Sequence, residues 1–221
     1  MIGVRIRSLH APFIKDCVLY QKDYINYLKR FEECCRKGCI YNASYIVIHL
    51  PVIEGEQLAI ETNPSFESLK NSLLLWSKMA EEANHYRLKL AFENLPPNEG
   101  WPQGCTWKMT YQIVKMLKKN NIGTCLDISH CFVNKQTSAI LTECELADLL
   151  LGIHVSDGIW DSKRDCHLPP GEGDFLWNTF FSLLHKFEYN GSLVVEVNTP
   201  YSDGHLIKKI FCYLKENSVR R

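Results

Sequence analysis

Histidine, aspartate and glutamate residues recur in this sequence at the ends of short apolar segments. The clearest case is the segment 149–155, in which His154 is the penultimate residue and which Asp157 follows closely. The same arrangement occurs five more times, at His10, His49, Glu93, Asp127 and Glu196. Imidazole nitrogen and carboxylate oxygen are ligands of ions such as Zn²⁺ and Mn²⁺, and a catalytic site keeps one coordination position open. The pattern therefore indicates a metal-dependent active site.

Three more residues of the same types lie close to these segment ends. His130 follows Asp127, and an Asp-x-His pair, Asp165 and His167, follows the apolar segment of His154. Nine candidate ligands are too many for one ion: His10, His49, Glu93, Asp127, His130, His154, Asp165, His167 and Glu196. A single one of them is more often a structural residue, and Asp127 or Asp157 could cap the next helix. Jointly they favour a metal site, because so many charges at one place are costly without a cation.

The elements that must position these residues follow from their spacing. The six segment-end residues are 27 to 44 residues apart, which is the length of a strand, a loop, a helix and a second loop. Repeated βα units predict an all-parallel sheet, and the carboxyl ends of its strands share one edge. A (β/α)₈ barrel carries its chemistry on that edge, whereas an open doubly wound sheet gathers ligands at one switch point. Six ligand-bearing strands therefore favour the barrel.

Hydrophobic periodicity, caps and breakers give approximate element boundaries. Strands are predicted at 5–10, 45–50, 88–93, 122–127, 149–155 and 193–197. Helices are predicted at 19–37, ending at Gly38; from Asn63-Pro64 to about Tyr86; at 110–120; at 143–150; at 175–188, capped by Asp174; and from Asp203 to near Lys215.

Composition limits the function classes. The chain has 221 residues, 46% of them hydrophobic, which predicts a single domain, 1–221. Twenty-five basic residues balance twenty-five acidic ones, so no long-range field favours a polyanion. The ten cysteines are interpreted as reduced thiols of a cytoplasmic protein, since no signal peptide is recognised. No apolar run approaches the roughly 20 residues of a membrane span, which predicts a soluble protein.

The order of the motifs resembles that of the xylose isomerase-like TIM barrel family, which includes endonuclease IV and sugar isomerases and epimerases. The resemblance runs from His10 to the C-terminal helix and implies a (β/α)₈ barrel. Its carriers are Leu9-His10-Ala11-Pro12, Val47-Ile48-His49, Phe92-Glu93-Asn94, Leu126-Asp127-Ile128-Ser129-His130, Ile153-His154-Val155-Ser156-Asp157, Asp165-Cys166-His167 with Gly171-Glu172-Gly173-Asp174, and Val195-Glu196.

The isomerase and epimerase branch implies one divalent ion, Zn²⁺, Mn²⁺ or Mg²⁺, held by Glu93, Asp127, His154 and Glu196. Glu93 and Glu196 would then act as catalytic base and acid, moving a proton of a sugar or sugar phosphate through an enediolate. His130 and His167 would bind substrate oxygens. Three tryptophans in or near the loops at the strand ends, Trp101, Trp107 and Trp160, could stack on a sugar or pack in the loops.

The endonuclease IV branch implies that all nine groups bind a cluster of three Zn²⁺ ions. The enzyme would then cleave DNA at abasic sites. Phe13 and Ile14 follow His10 where that branch has side chains that probe the DNA. The balanced charge and Glu172, which adds negative charge beside a phosphate path, favour the isomerase instead. A non-catalytic metal-binding barrel is a third alternative, but the catalytic carboxylates are present.

The sequence departs from the family at its start. Two βα units usually precede the strand that ends in His-Ala-Pro, and here only Met1-Ile2-Gly3-Val4 precedes that strand. Six parallel strands are therefore expected, in a barrel that lacks its first two βα units. Either the sequence is a fragment or an N-terminally shortened protein, or a second chain covers the gap. The open edges beside the first and last strands are expected to associate or aggregate, for example as a homo-oligomer.

Overall fold

The structure is a computed structural model that describes residues 5–56, 66–136, 148–198 and 204–218. The chain divides into two compact units, Met1–Cys125 and Leu126–Arg221. Predicted helix starts at Asn63 and Asp203, and most of the helix predicted at 143–150, lie outside the described residues.

The first unit alternates strands and helices. Its elements are β1 (Ser8–His10), β2 (Val18–Leu19), α1 (Tyr24–Ile40), β3 (Tyr45–Ile48), β4 (Val52–Ile53), α2 (Lys70–His85), β5 (Lys89–Glu93), α3 (Trp107–Leu117) and β6 (Ile122–Asp127), whose last two residues belong to the second unit. The strands β1, β3, β5 and β6 pair in that order and in parallel, and β2 and β4 form a separate parallel pair. The residues of β3 and β6 are buried throughout, as expected of parallel strands covered on both faces.

The second unit continues the alternation. Its elements are α4 (Ile128–Val133), β7 (Leu150–Val155), α5 (Trp177–Lys186), β8 (Ser192–Val195) and α6 (Gly204–Ser218). The strands β7 and β8 pair in parallel, with His154 opposite Val194. Burial alternates along β8, where Leu193 and Val195 are partly exposed. The six predicted strands are thus all present.

Several predicted boundaries are wrong, and a close packing contact or a hydrogen bond accompanies three of the differences. Helix α1 continues through Gly38 to Ile40, and the glycine there serves packing instead, since a Cβ would lie 2.9 Å from the Leu88 Cδ1 atom. Asp174 does not cap α5, since its Oδ2 atom accepts a hydrogen bond from Trp160 N. Leu150, predicted as the last residue of a helix, is the first residue of β7. Helix α3 starts earlier than predicted, after the N-cap Thr106, whose hydroxyl accepts from Met109 N.

Candidate metal centre

The first unit brings three of the predicted ligands together. His10 is the last residue of β1, His49 follows β3, and Glu93 is the last residue of β5. Because these strands are neighbours, parallel and in register, their carboxyl ends lie at one edge. Glu93 Oε2 lies 3.2 Å from His10 Nε2 and 3.1 Å from His49 Nε2. The three side chains offer ligand atoms within 4.8 Å of one another, which suits a metal ion.

An exposed aromatic ring covers this group. Phe13 is 62% exposed, stacks on the His10 ring with centroids 4.5 Å apart, and meets the His49 ring edge-on at 4.9 Å. Both imidazoles are therefore held in place by the carboxylate of Glu93 on one side and the Phe13 ring on the other. This arrangement leaves the outer face of Phe13 open to solvent.

The second unit brings together Asp127, His154 and Glu196. Asp127 ends β6, His154 lies in β7, and Glu196 follows β8, with its backbone N–H donating to Val155 O. His154 Nδ1 lies 2.7 Å from Glu196 Oε2 and 3.8 Å from Asp127 Oδ2. The Asp127 and His154 side chains are buried, whereas that of Glu196 is 44% exposed. One imidazole and two carboxylates thus converge, with one side of the group accessible.

Asp127 also acts as a helix cap. Its Oδ1 atom accepts a hydrogen bond from His130 N at 2.8 Å, at the start of α4. The alternative that Asp127 caps the next helix is therefore confirmed. It does not exclude metal binding, because the cap uses Oδ1 and the Oδ2 atom faces His154.

The second unit also assembles a carboxylate held by two imidazoles. Asp165 Oδ2 lies 3.2 Å from His130 Nε2 and 3.1 Å from His167 Nε2. Burial raises the pKa of Asp165, but the hydrogen bonds from His130 and His167 and the positive charge on His130 hold it far below its usual range. Burial alone would lower the pKa of His167. The hydrogen bond to Asp165 and the negative charges of Asp127 and Asp165 outweigh this and raise the pKa to about 9, above its usual value.

Two residues outside the nine candidate ligands, Ser129 and Asp157, hold Asp165 and His167 in place. The Ser129 hydroxyl donates to Asp165 Oδ1 at 2.7 Å and accepts from His167 N at 3.1 Å. His167 adopts a left-handed backbone, with φ of 43°, and its Nδ1 atom lies 3.1 Å from Glu196 O. Such strain persists only where neighbouring contacts impose it. The sequence signal for Ser129 was its place inside the motif that contains Asp127 and His130.

Asp157, which the sequence offered as a possible helix cap, instead anchors the loop that carries Asp165 and His167. Asp157 is fully buried; its Oδ1 atom accepts from Gly158 N and Phe175 N, and its Oδ2 atom accepts from Gly171 N and Trp177 Nε1. Its backbone also exchanges two hydrogen bonds with Leu168. Asp157 therefore closes a loop rather than capping a helix.

The prediction that Trp101 binds substrate is corrected by its burial. The side chain is 1% exposed, stacks on Trp76, and donates its indole N–H to Leu50 O at 3.0 Å. Trp107 is also buried, and only Trp160 of the three tryptophans is exposed. Trp101 belongs to the core of the first unit, since its polar atom is satisfied there and its faces are covered.

Comparison with known proteins supports the arrangement of the strands. The sequence profile of the xylose isomerase-like TIM barrels matches residues 4–216. The chain belongs to this family. It is an α/β chain whose described residues include the six predicted parallel strands, and its fold is that of a xylose isomerase-like TIM barrel lacking some βα units, as predicted.

Several relatives and solved structures are similar to the chain. An uncharacterized protein of Methanocaldococcus jannaschii is 26% identical over 192 residues, covering 85% of the chain and 63% of the relative. An inosose isomerase of Halalkalibacterium halodurans is 25% identical over 175 residues, covering 74% and 58%. The chain therefore spans about three fifths of the length of these curated relatives.

Among solved structures, a D-tagatose 3-epimerase-like protein superimposes with a TM-score of 0.75 at 22% identity, covering 98% of the chain and 78% of the neighbour. The IOLI protein, solved with a zinc atom, gives a TM-score of 0.66 at 17% identity, covering 97% and 75%. At these identities the likeness concerns the fold.

The nine cysteines that the structure describes are free. Within the described ranges, no helix has both the length and the apolar character that crossing a bilayer requires.

Proposed function

We propose that this protein is a divalent-metal-dependent isomerase or epimerase of a sugar or sugar phosphate. The observation that carries the proposal is the convergence of Asp127, His154 and Glu196 at the ends of successive strands. Their ligand atoms fall within 4.8 Å of one another. Two carboxylate oxygens and an imidazole nitrogen form a donor set that suits Zn²⁺ or Mn²⁺ and also accommodates Mg²⁺.

Glu93 is proposed as the fourth ligand, from its place at the end of β5 and from the family pattern. When bound, the ion would act as a Lewis acid toward adjacent oxygens of the sugar and acidify the C–H bond between them. His154 would hold the ion through Nδ1, the atom that lies 2.7 Å from Glu196 Oε2, because a ligating imidazole nitrogen carries no proton.

Glu93 and Glu196 are proposed to transfer the proton, one as base and the other as acid, through an enediolate of the substrate. Their environments differ in a way that supports two roles. The Glu93 side chain is 1% exposed and contacts two imidazoles, whereas that of Glu196 is 44% exposed. His130 and His167, both held by Asp165, are proposed to lie beside the substrate and to bind its oxygens.

The relatives support the same chemistry. One of them is named an inosose isomerase, and solved neighbours include an L-ribulose 3-epimerase and a 3-keto-D-glucoside 4-epimerase. These proteins share the fold with the chain, and their names motivate ketoses as the substrates to test.

Metal analysis and isotope exchange test the proposal. Protein purified without added metal should contain about one divalent ion per chain. His154→Ala should lower metal affinity by about 100-fold or more, since even weaker disturbances of such sites cost 10- to 100-fold. His85→Ala is the matched control, because His85 is an exposed residue of α2 away from the strand ends.

Ketohexoses incubated in D₂O with the metal-loaded protein should take up deuterium at the carbon beside the carbonyl, which NMR detects. Glu196→Gln should slow this exchange by about 10²- to 10⁴-fold, the usual contribution of a general acid or base. Metal-loaded protein that exchanges no proton of any ketose or ketose phosphate would refute the proposed activity.

A zinc phosphodiesterase that cleaves DNA at abasic sites is the second candidate. The observation that favours it is the presence of two further ligand groups: His10, His49 and Glu93 in the first unit, and Asp127, His130 and His167 in the second. About three zinc ions per chain, together with cleavage of an abasic-site duplex, would establish this candidate over the isomerase.

A further inference from the structure

A surface groove in the first unit lies beside Phe13 and is not explained by the proposed proton transfer. It has a volume of about 300 Å³ and is formed by the loop after β1 and the first turns of α1. Phe13 forms one wall, and Lys15, Lys22, Asn26 and Arg30 supply its polar lining. A phosphate group is much smaller than this volume, so the groove admits one together with part of its carrier.

The charge of the groove is positive although the whole chain is neutral. Lys15, Lys22 and Arg30 line it, against the single carboxylate of Asp23 among the described lining residues. Lys15 lies 3.9 Å from Asp16, an exposed contact that screens little of its charge. Among the described residues, neither Lys22 nor Arg30 has a carboxylate oxygen within 4.0 Å. Two cations at one groove are therefore available to an anion.

The groove adjoins the candidate ligands of the first unit. Phe13 forms its wall and stacks on His10, whose Nε2 atom contacts Glu93. Arg30 also lines a neighbouring groove of about 480 Å³ together with His10. An anion held by Arg30 and Lys22 would thus lie on the same surface as the open face of Phe13, on which the apolar face of a sugar ring can stack.

We infer that this groove binds the phosphate group of a phosphorylated sugar, so that the substrate is a sugar phosphate rather than a neutral sugar. Arg30 supplies a planar fork of N–H donors that matches phosphate oxygens, and Lys22 supplies a point charge. The inference rests on the proposed isomerase or epimerase activity for its sugar, but the anion site stands on the groove alone.

Phosphate binding tests the groove independently of catalysis. Isothermal titration of the full chain with inorganic phosphate should show binding that weakens with added salt. Arg30→Ala should raise the dissociation constant about tenfold, and Lys22→Ala by a smaller factor. Lys78→Ala removes one charge from an exposed position of α2 that does not line the groove, and it should bind phosphate as the wild type does.

Selectivity tests the substrate class. For a ketohexose and its phosphate ester, the ratio of kcat/KM values should favour the ester in the wild type and in Lys78→Ala, and should fall about tenfold in Arg30→Ala. No phosphate binding, or equal effects of Arg30→Ala and Lys78→Ala, would overturn the inference. Stronger binding of a sugar carboxylate than of phosphate would also overturn it and assign the groove to sugar acids. Phosphate binding that depends on Arg30 without turnover of any sugar would support the anion site while refuting the proposed activity.

Discussion

Replacement of Asp157 by asparagine tests how the loop with Asp165 and His167 is held. Each carboxylate oxygen of Asp157 accepts two hydrogen bonds of 2.9 to 3.0 Å, and the side chain is fully buried. The amide of the Asp157→Asn variant keeps one oxygen, which can accept two of the four bonds. Its NH₂ group would face the other two donors, either Gly158 N and Phe175 N or Gly171 N and Trp177 Nε1.

The magnitude follows from the two lost bonds. A hydrogen bond to a charged group contributes about 1.5–3 kcal/mol, and two at the lower limit give a loss of about 3 kcal/mol in the free energy of unfolding. The lower limit applies because Gly171 is partly accessible and water can replace part of the contact. A loss of this size is a large fraction of the roughly 5–15 kcal/mol that stabilises a typical protein.

Urea unfolding followed by tryptophan fluorescence measures this loss. Asp161→Asn is the matched control: it lies in the same loop, its side chain is 73% exposed, and its contact with Lys135 at 3.6 Å is exposed as well. Such a pair contributes about 0–1 kcal/mol. If the free energies of unfolding of Asp157→Asn and Asp161→Asn differ by less than about 0.5 kcal/mol, Asp157 does not hold this loop in place and the reasoning is refuted.

Three other predictions concern thiols, pH and assembly. In native protein, Cys39 and Cys212 should react rapidly with a disulfide reagent and Cys17 should not, because burial raises the pKa of Cys17 to about 12; rapid labelling of Cys17 in a peptide map would contradict this. The folded pKa of His167, about 9, lies above its usual 6.5, so its pairing with Asp165 stabilises the metal-free fold fully below about pH 6.5 and is lost as pH rises through 9. Urea midpoints across this range should show that loss, and His167→Gln should remove it. The half-exposed apolar face of β8 predicts association, and a monodisperse monomer by size exclusion with light scattering would count against it.

The convergence of ligands within each unit could be predicted from the sequence because it depends on backbone direction. Once β1, β3 and β5 are recognised as parallel strands of repeating βα units, His10, His49 and Glu93 must lie at the same edge. No knowledge of side-chain packing is needed for that step. The same reasoning brought Asp127, His154 and Glu196 together.

The boundaries and the aromatic residues could not be predicted in the same way. Gly38 is a residue type that often ends a helix, and its position predicted such an end. Trp101 lies in a loop rich in proline, which predicted an exposed position. In the structure, Leu88 packs against Gly38, and Trp76 stacks on Trp101. Both partners are distant in sequence, so periodicity and local propensity carry no signal for them.

The sequence by itself determined the family, the parallel strands and the residue types that end them, because these depend on chain order and hydrophobic period. Only the tertiary structure decided how Asp165 and His167 are held, since Ser129 and Asp157 act through hydrogen bonds that cross a long loop. It also decided that a positively charged groove adjoins the Phe13 ring. Charge in a sequence is summed along the chain, whereas a ligand meets only the charges that folding places on one surface.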